Sequence, residues 1–236
     1  QISMFGEASE IQFPEPEIPE AQKWGVMEEL SKEKELVGIY ISGHPLDDFK
    51  TEINYFCNTP LTVFQNEKEL MGKDLAVGGI ITNIEHRVSK NGKGWASFSL
   101  EDYSGSHEFR LFSEEYLKFR HFLVPNAFIY AKIFCRKGWK DDVRFTFGTI
   151  QLLQDILEEF SKKITLNLSI KDINEANIER LNSILSKFKG TKSLNFTVFD
   201  IEENLKLNLP SRSYKVDISN ELIEVLNKEQ IHFKLN

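Results

Sequence analysis

The chain is 236 residues long, 41% hydrophobic and 28% charged, with a formal net charge of −7, a composition that excludes fibrous and low-complexity classes and leaves room for two small cores. No apolar run approaches the roughly 20 residues of a membrane helix and no secretory signal opens the chain, so a cytoplasmic protein with no membrane partner is expected. Two cysteines, Cys57 and Cys135, are too few for a disulfide framework and wrongly spaced for zinc, so both are expected to be reduced thiols.

The net charge hides an uneven distribution. Residues 1–36 carry −6, whereas 75–156 and 161–236 each carry +2. The opening QISMF places Gln1, Met4 and Phe5 ahead of a Pro- and Glu-rich run to Glu20. That run has little to bury, so 1–22 is expected to be an extended acidic tether. The first residue is not methionine, and the chain reads as a piece of something longer. In EELSKEKELVGIYIS, Leu30, Leu36, Val37, Tyr40 and Ile41 give a partial 3.6-residue period. The helix is expected to run to Ser42, where Gly43 supplies a left-handed terminus. Pro45 suits the first turn of a second helix, PLDDFKTEINYF, whose aspartates lie near its positive end. His44 has no second His or Cys near it and reads as a turn histidine. Residues 23–72 are thus expected to form a helical linker.

From Leu75 the period changes to two. Five strands are expected in 73–156: LAVGGIITNIEHRVS, WASFSLEDY, HEFRLF, AFIYAKIFCRK and VRFTFGTIQLL, with a helix, SEEYLKFRHF, between the third and fourth. An Asn-Gly turn in KNGKG joins the first two. This order is that of an OB-fold, a small Greek-key barrel. After a helical spacer, DILEEF, residues 161–236 read as strand (KITLNLSI), helix (NEANIERLNSILSKF), strand (LNFTVFDI), strand (LKLNLP), strand (YKVDI), helix (NELIEVLNKE) and strand (HFKLN). The expected fold class is therefore multidomain: an α-helical linker, an all-β OB-fold barrel, and a small α+β C-terminal domain.

Side chains alternate along a barrel strand, so the ligand face follows once the core-filling positions are removed. In the fourth strand Ala127, Ile129, Ala131, Ile133 and Cys135 suit the interior, leaving Phe128, Tyr130, Lys132, Phe134 and Arg136 outside. The same parity puts Trp95, Ser97, Ser99, Arg110 and Phe112 outside. The loops add Lys90 and Lys93 in KNGKGW, and Lys137, Trp139, Lys140 and Arg144 before the fifth strand. Aromatic rings interleaved with bases suit single-stranded nucleic acid, the rings stacking at roughly 1–3 kcal/mol each while Lys and Arg follow the phosphates. The same rings could instead pack under a helix or dock a protein, and a charge of +2 is far from the excess of a tight binder. No nucleophile–base pair, metal cluster or phosphate loop has convincing spacing, so no catalytic residue, metal or cofactor is expected. Paired acids such as Asp47-Asp48, Glu101-Asp102 and Asp141-Asp142 fall at turns or helix starts, where capping is the ordinary role.

At KEKELVGIYISGHPLDDF, with QISMF before it and the barrel after it, the chain resembles the C-terminal part of the alpha subunit of bacterial DNA polymerase III, the replicative C-family DNA polymerase. The resemblance is most specific at 32–49, moderate across the barrel and weak over 161–236. It implies that QISMF is a clamp-binding peptide, with Gln1, Met4 and Phe5 meeting the sliding clamp (beta subunit). It also implies single-stranded template DNA on the barrel, with the loop from Ser89 to Trp95 among the contacts. The C-terminal domain would then dock the tau subunit of the clamp loader, with no individual residue carried over. The polymerase's catalytic aspartates belong to parts of the family absent from this chain. Two other readings stand beside this one, an anticodon-type OB module of a tRNA-handling enzyme and a scaffold barrel that binds no nucleic acid.

Overall fold

The computed structural model describes residues 23–138 and 143–236, so QISMF and the tip of the loop before the fifth strand, including Trp139, Lys140, Asp141 and Asp142, lie outside the described residues. The described chain falls into two units, 23–43 and 44–236.

The first unit is helix α1 (Val26–Val37) and the turn that follows it. The helix stops one turn earlier than its pattern predicts, because Gly38 already takes the left-handed conformation (φ 85°) and its N–H bonds to the Lys34 carbonyl. The chain then folds back. Glu33 accepts hydrogen bonds from the N–H groups of Ile41 (2.7 Å) and Ser42 (3.0 Å) and from the Ser42 hydroxyl, which hold its carboxyl below the usual range. Tyr40 and Ile41, assigned to the helix by period, therefore belong to this turn.

From His44 onward the expected linker is part of the barrel's own packing. A 3₁₀ turn (Asp47–Phe49) leads into α2 (Lys50–Phe56), and a kinked 3₁₀ segment (Leu61–Leu70), not foreseen from the sequence, precedes the sheet. Asp47 reaches back from this turn, accepting from the His44 N–H at 2.8 Å and the Tyr103 hydroxyl at 3.1 Å. His44 serves that turn: its Nδ1 accepts from the Leu46 N–H (3.1 Å) and its ring lies 4.4 Å from that of Tyr103. Leu61, Phe64 and Leu70 complete the barrel core.

The barrel sheet contains β1 (Asp74–Val88), β2 (Gly94–Glu101), β3 (Ser106–Phe112), β4 (Phe128–Lys137) and β5 (Val143–Leu152), in the order β3-β2-β1-β4-β5. That is OB-fold connectivity, with helix α3 (Ser113–Phe119) between β3 and β4. β1 serves two neighbours in turn: Asp74–Ile80 pairs with β4 and Ile80–Val88 with β2, with an irregularity between Ile81 and Asn83. The predicted inner residues Ile129, Ala131, Ile133 and Cys135 join Val77, Ala96, Phe98, Leu100, Phe109 and Leu111 in the core. Truncating one such aliphatic side chain to Ala costs about 2–5 kcal/mol. The expected barrel is not closed by hydrogen bonds between β3 and β5. The Phe109 ring meets those of Phe145 (6.0 Å) and Phe147 (5.5 Å) across the gap. Glu115 of α3 accepts from the Phe147 N–H (3.2 Å) and Lys118 donates to the Gly148 carbonyl (3.3 Å), satisfying part of the β5 edge.

Helix α4 (Leu153–Phe160) and α2 cover one outer part of the barrel, where Leu46, Ala76, Tyr130, Leu153 and Ile156 form a second, smaller core. The C-terminal sheet holds β6 (Lys163–Ser169), β7 (Lys189–Asp200), β8 (Leu205–Val216) and β9 (His232–Leu235) in the order β8-β7-β6-β9. β6 and β7 are parallel, joined by the crossover helix α5 (Glu175–Lys187), and α6 (Asn220–Lys228) joins β8 to β9. The two strands predicted at 205–210 and 214–218 are one strand, its ladder irregular between them. Pro210 is tolerated there because β8 is an edge. The two layers share contacts: Phe56 packs on both the second and the C-terminal cores, Tyr55 stacks on Phe233 at 5.4 Å, and Asn220 donates to the fully buried Glu52 carboxyl at 3.1 Å.

Candidate nucleic-acid interface

The turn between β1 and β2 sets the register of the exposed face. Gly92 takes φ +74° and donates to the Ser89 carbonyl at 2.9 Å, while the Ser89 hydroxyl accepts from the Lys93 N–H at 3.1 Å. This pins Arg87 opposite Trp95, and Trp95 in turn opposite Phe112. The result is a row across three strands. The Arg87 guanidinium lies 5.5 Å from the Trp95 ring, and the Trp95 and Phe112 rings stack at 5.7 Å with 23° between their planes. Phe112 is 50% exposed.

The neighbouring row runs Glu85, Ser97, Arg110, and the next Asn83, Ser99, Glu108. These residues line one shallow groove together with Arg87 and Trp95. On the other side of Phe112 a second groove is lined by Lys93, Phe112, Glu114, Glu115 and Arg144. Trp95 lines the first groove and Phe112 the second, so the stacked pair stands between them. Lys90, Lys93, Arg110, Arg136 and Arg144 are exposed, and Arg136 stands directly opposite Arg144 in the β4–β5 ladder. Two like charges in a cross-strand pair repel, and an anion between them would relieve that.

Acids temper the field. Glu85 pairs with Arg87, and Glu108 with Arg110 at 3.0 Å, so two of the face's cations are partly neutralised. Glu115 is drawn inward by its bond to the Phe147 N–H, and burial pushes its carboxyl above the usual range.

The outer face of β4 behaves differently from its parity prediction. Parity places Tyr130 on the ligand face, but it is 2% exposed and lies beneath α4, its ring 5.4 Å from that of Phe160. Burial pushes its hydroxyl up to about 12. It cannot stack on a base, because a helical layer already occupies the position a base would take. Phe128 packs on Phe49 at 4.7 Å, and the Lys132 ammonium lies over the Phe160 ring at 5.1 Å. The Phe134 ring rests against Gly148, where a Cβ would fall 2.5 Å from it. Lys137 and Arg136 remain exposed at the end of β4.

The structure thus gathers Lys93, Trp95, Arg110, Phe112 and Arg144 on one continuous surface, leaves Phe134 and Lys132 on another, and removes Tyr130. Parity on β2, β3 and β4 does not single out Arg87; counting back across the KNGKG turn from Trp95 does, since antiparallel pairing fixes its partner.

Residues 164–236 match the family model described as the DNA polymerase III alpha subunit, C-terminal domain. The chain is similar to DNA polymerase III subunit alpha of Saccharopolyspora erythraea, 31% identical over 139 residues, covering 56% of this chain and 12% of the relative. The same subunit of Treponema pallidum is 33% identical over 127 residues, covering 54% and 11%. That of Escherichia coli O157:H7 is 24% identical over 183 residues, covering 77% and 16%. The chain therefore spans between 11% and 16% of the length of these relatives. Among solved structures, the second OB-fold domain of replication protein A from Methanococcus maripaludis matches with a TM-score of 0.24 at 17% identity, over 36% of this chain and 89% of that one. A likeness that low bears on no ligand.

Proposed function

We propose, on the premise that the chain resembles the C-terminal region of bacterial DNA polymerase III alpha subunits, that it is the accessory end of a replicative DNA polymerase. Its OB-fold binds single-stranded template DNA, its QISMF peptide binds the sliding clamp, and its C-terminal domain docks the tau subunit of the clamp loader. One observation carries the nucleic-acid part: the Arg87–Trp95–Phe112 row on the β1–β2–β3 face, flanked by Lys90 and Lys93. OB-folds hold oligonucleotides on the strand 2–3 face and on the loops beside it, and a stacked aromatic pair offers a sequence-tolerant platform for bases. The test is a competition titration of the 236-residue chain with single-stranded DNA, duplex DNA and tRNA over a range of salt. Preference for single-stranded DNA, weakening as salt rises because phosphate contacts release counterions, supports the proposal. Preference for tRNA favours the anticodon-type module.

The scaffold reading has its own supporting observation, the Glu85 and Glu108 carboxylates that already occupy Arg87 and Arg110. It predicts no oligonucleotide binding even at low salt. For the clamp, Met4→Ala with Phe5→Ala is expected to abolish binding to purified sliding clamp and leave the fold unchanged, because apolar anchors in a pocket carry most of a short peptide's affinity. Undiminished binding would remove the clamp assignment.

A further inference from the structure

The C-terminal sheet ends in a long edge strand that the reading above does not use. Among the described residues β8 pairs only with β7, and no strand lies on its other edge. Over 205–210 every residue is exposed. Leu205, Leu207 and Leu209 alternate onto one face, at 66%, 58% and 42% exposure, while Lys206 and Asn208 take the other. Leu207 and Leu209 stand opposite Val198 and Phe196, whose row continues into Leu168 and Leu166 of β6. The apolar sheet face that α5 and α6 cover over β6 therefore continues onto β8, where no described residue covers it.

The charge on this edge is one-sided. β8 carries Lys206, Arg212 and Lys215 and no acid, and none of the three makes an ion pair among the described residues. Lysine and proline on an edge strand discourage self-pairing, which accounts for Lys206 and Pro210. It does not account for three exposed leucines in a row, which bring the opposite hazard unless something covers them. A second copy of the chain laid edge to edge would set these cations against each other, which like-charge pairing disfavours.

We infer that the β8 edge is a docking site for an extended segment of another protein in which acidic and apolar side chains alternate, added as a further strand of the sheet. Main-chain hydrogen bonds to the free edge would supply affinity, apolar side chains would cover the leucine row, and the acids on the other face would meet Lys206. The inference needs neither nucleic acid nor the clamp.

The test uses the 236-residue chain and a fluorescein-labelled peptide of alternating Val and Glu, closed by Pro at each end to block its self-assembly. Binding is followed by anisotropy and by hydrogen exchange of the β8 amides. The expected result is binding that weakens with salt, with slowed exchange confined to β8 and its new partner edge. Leu207→Asp is expected to abolish it. Reversal of Lys206, Arg212 and Lys215 to Glu is expected to weaken the Glu peptide at least about tenfold and to confer binding of a peptide with Lys in place of Glu. Unslowed β8 exchange, equal binding of the Glu and Lys peptides, or a dimer of the free chain that Leu207→Asp abolishes would each overturn the inference.

Discussion

Two outer faces of the same barrel obey the same alternation and have opposite fates. On β2 and β3 the outward positions Trp95, Arg110 and Phe112 stand clear, with Arg87 of β1 beside them. On the first half of β4 the outward positions Phe128 and Tyr130 are roofed by α2 and α4. Parity tells which side chains leave the core; it does not tell what they meet outside it. What separates the two faces is a second layer of secondary structure, and its mark is in β1. The half that pairs with β4 reads LAVGGI, an unbroken run, and Leu75 through Ile80 are all buried. The half that pairs with β2 continues past Ile81 as TNIEHRV, and there all but Ile84 is exposed. A continuous apolar run signals a strand covered on both sides. Because Tyr130 pairs with Gly78, it shares that cover.

The contrast can be broken at either face, and the largest effect is expected at the covered one. Tyr130→Ala should lose about 3–5 kcal/mol of stability in denaturant unfolding, as for other large core aromatics, while oligonucleotide affinity of the folded protein stays unchanged. A loss of affinity with stability intact would return Tyr130 to the ligand face. On the open face the pattern reverses. Trp95→Ala should weaken oligo(dT) binding by about 1–3 kcal/mol, a factor of roughly 5 to 150, with little change in melting temperature.

The covering layer itself can be probed at Glu52. Its carboxyl is fully buried, one oxygen has no hydrogen-bond partner among the described residues, and burial raises its pKa. The folded state therefore holds this proton to higher pH than the unfolded state does. The stabilisation is complete below the ordinary carboxylate value and is lost as pH rises through the raised one. Glu52→Gln should flatten that decline and gain about 1 kcal/mol at neutral pH, measured as melting temperature against pH. An unchanged profile would mean that Glu52 is ionised in the folded protein. The smallest effect is expected at Glu108→Gln, which frees Arg110 from its exposed ion pair and should tighten oligonucleotide binding by about 0.2–1 kcal/mol.

Much of this architecture is legible in the sequence. The sixteen expected helices and strands all correspond to observed elements, the two expected at 205–210 and 214–218 merging into β8, because their periods are strong and their turns carry Gly, Pro or Asn. Where the sequence misled, two legitimate signals competed. Gly38 and Gly43 both offer a left-handed terminus, and only Gly38 falls where Glu33 can cap the returning chain. Pro210 and the serines after it signal a break, which an edge strand absorbs as an irregular stretch. At the candidate site Trp95, Arg110 and Phe112 were readable by parity alone. Arg87 required the register, and the burial of Tyr130 depended on a tertiary contact with α4, 23 residues and more along the chain from it.

If nucleic acid stacks on Trp95, as proposed, the tryptophan itself reports it. With Trp24 and Trp139 changed to Phe, Trp95 is the only tryptophan of the chain. Titration with labelled oligo(dT), following oligonucleotide anisotropy and tryptophan emission together, should show saturable quenching that tracks binding and disappears as salt is raised. Binding with no change in Trp95 emission, or no binding at low salt, would contradict the account.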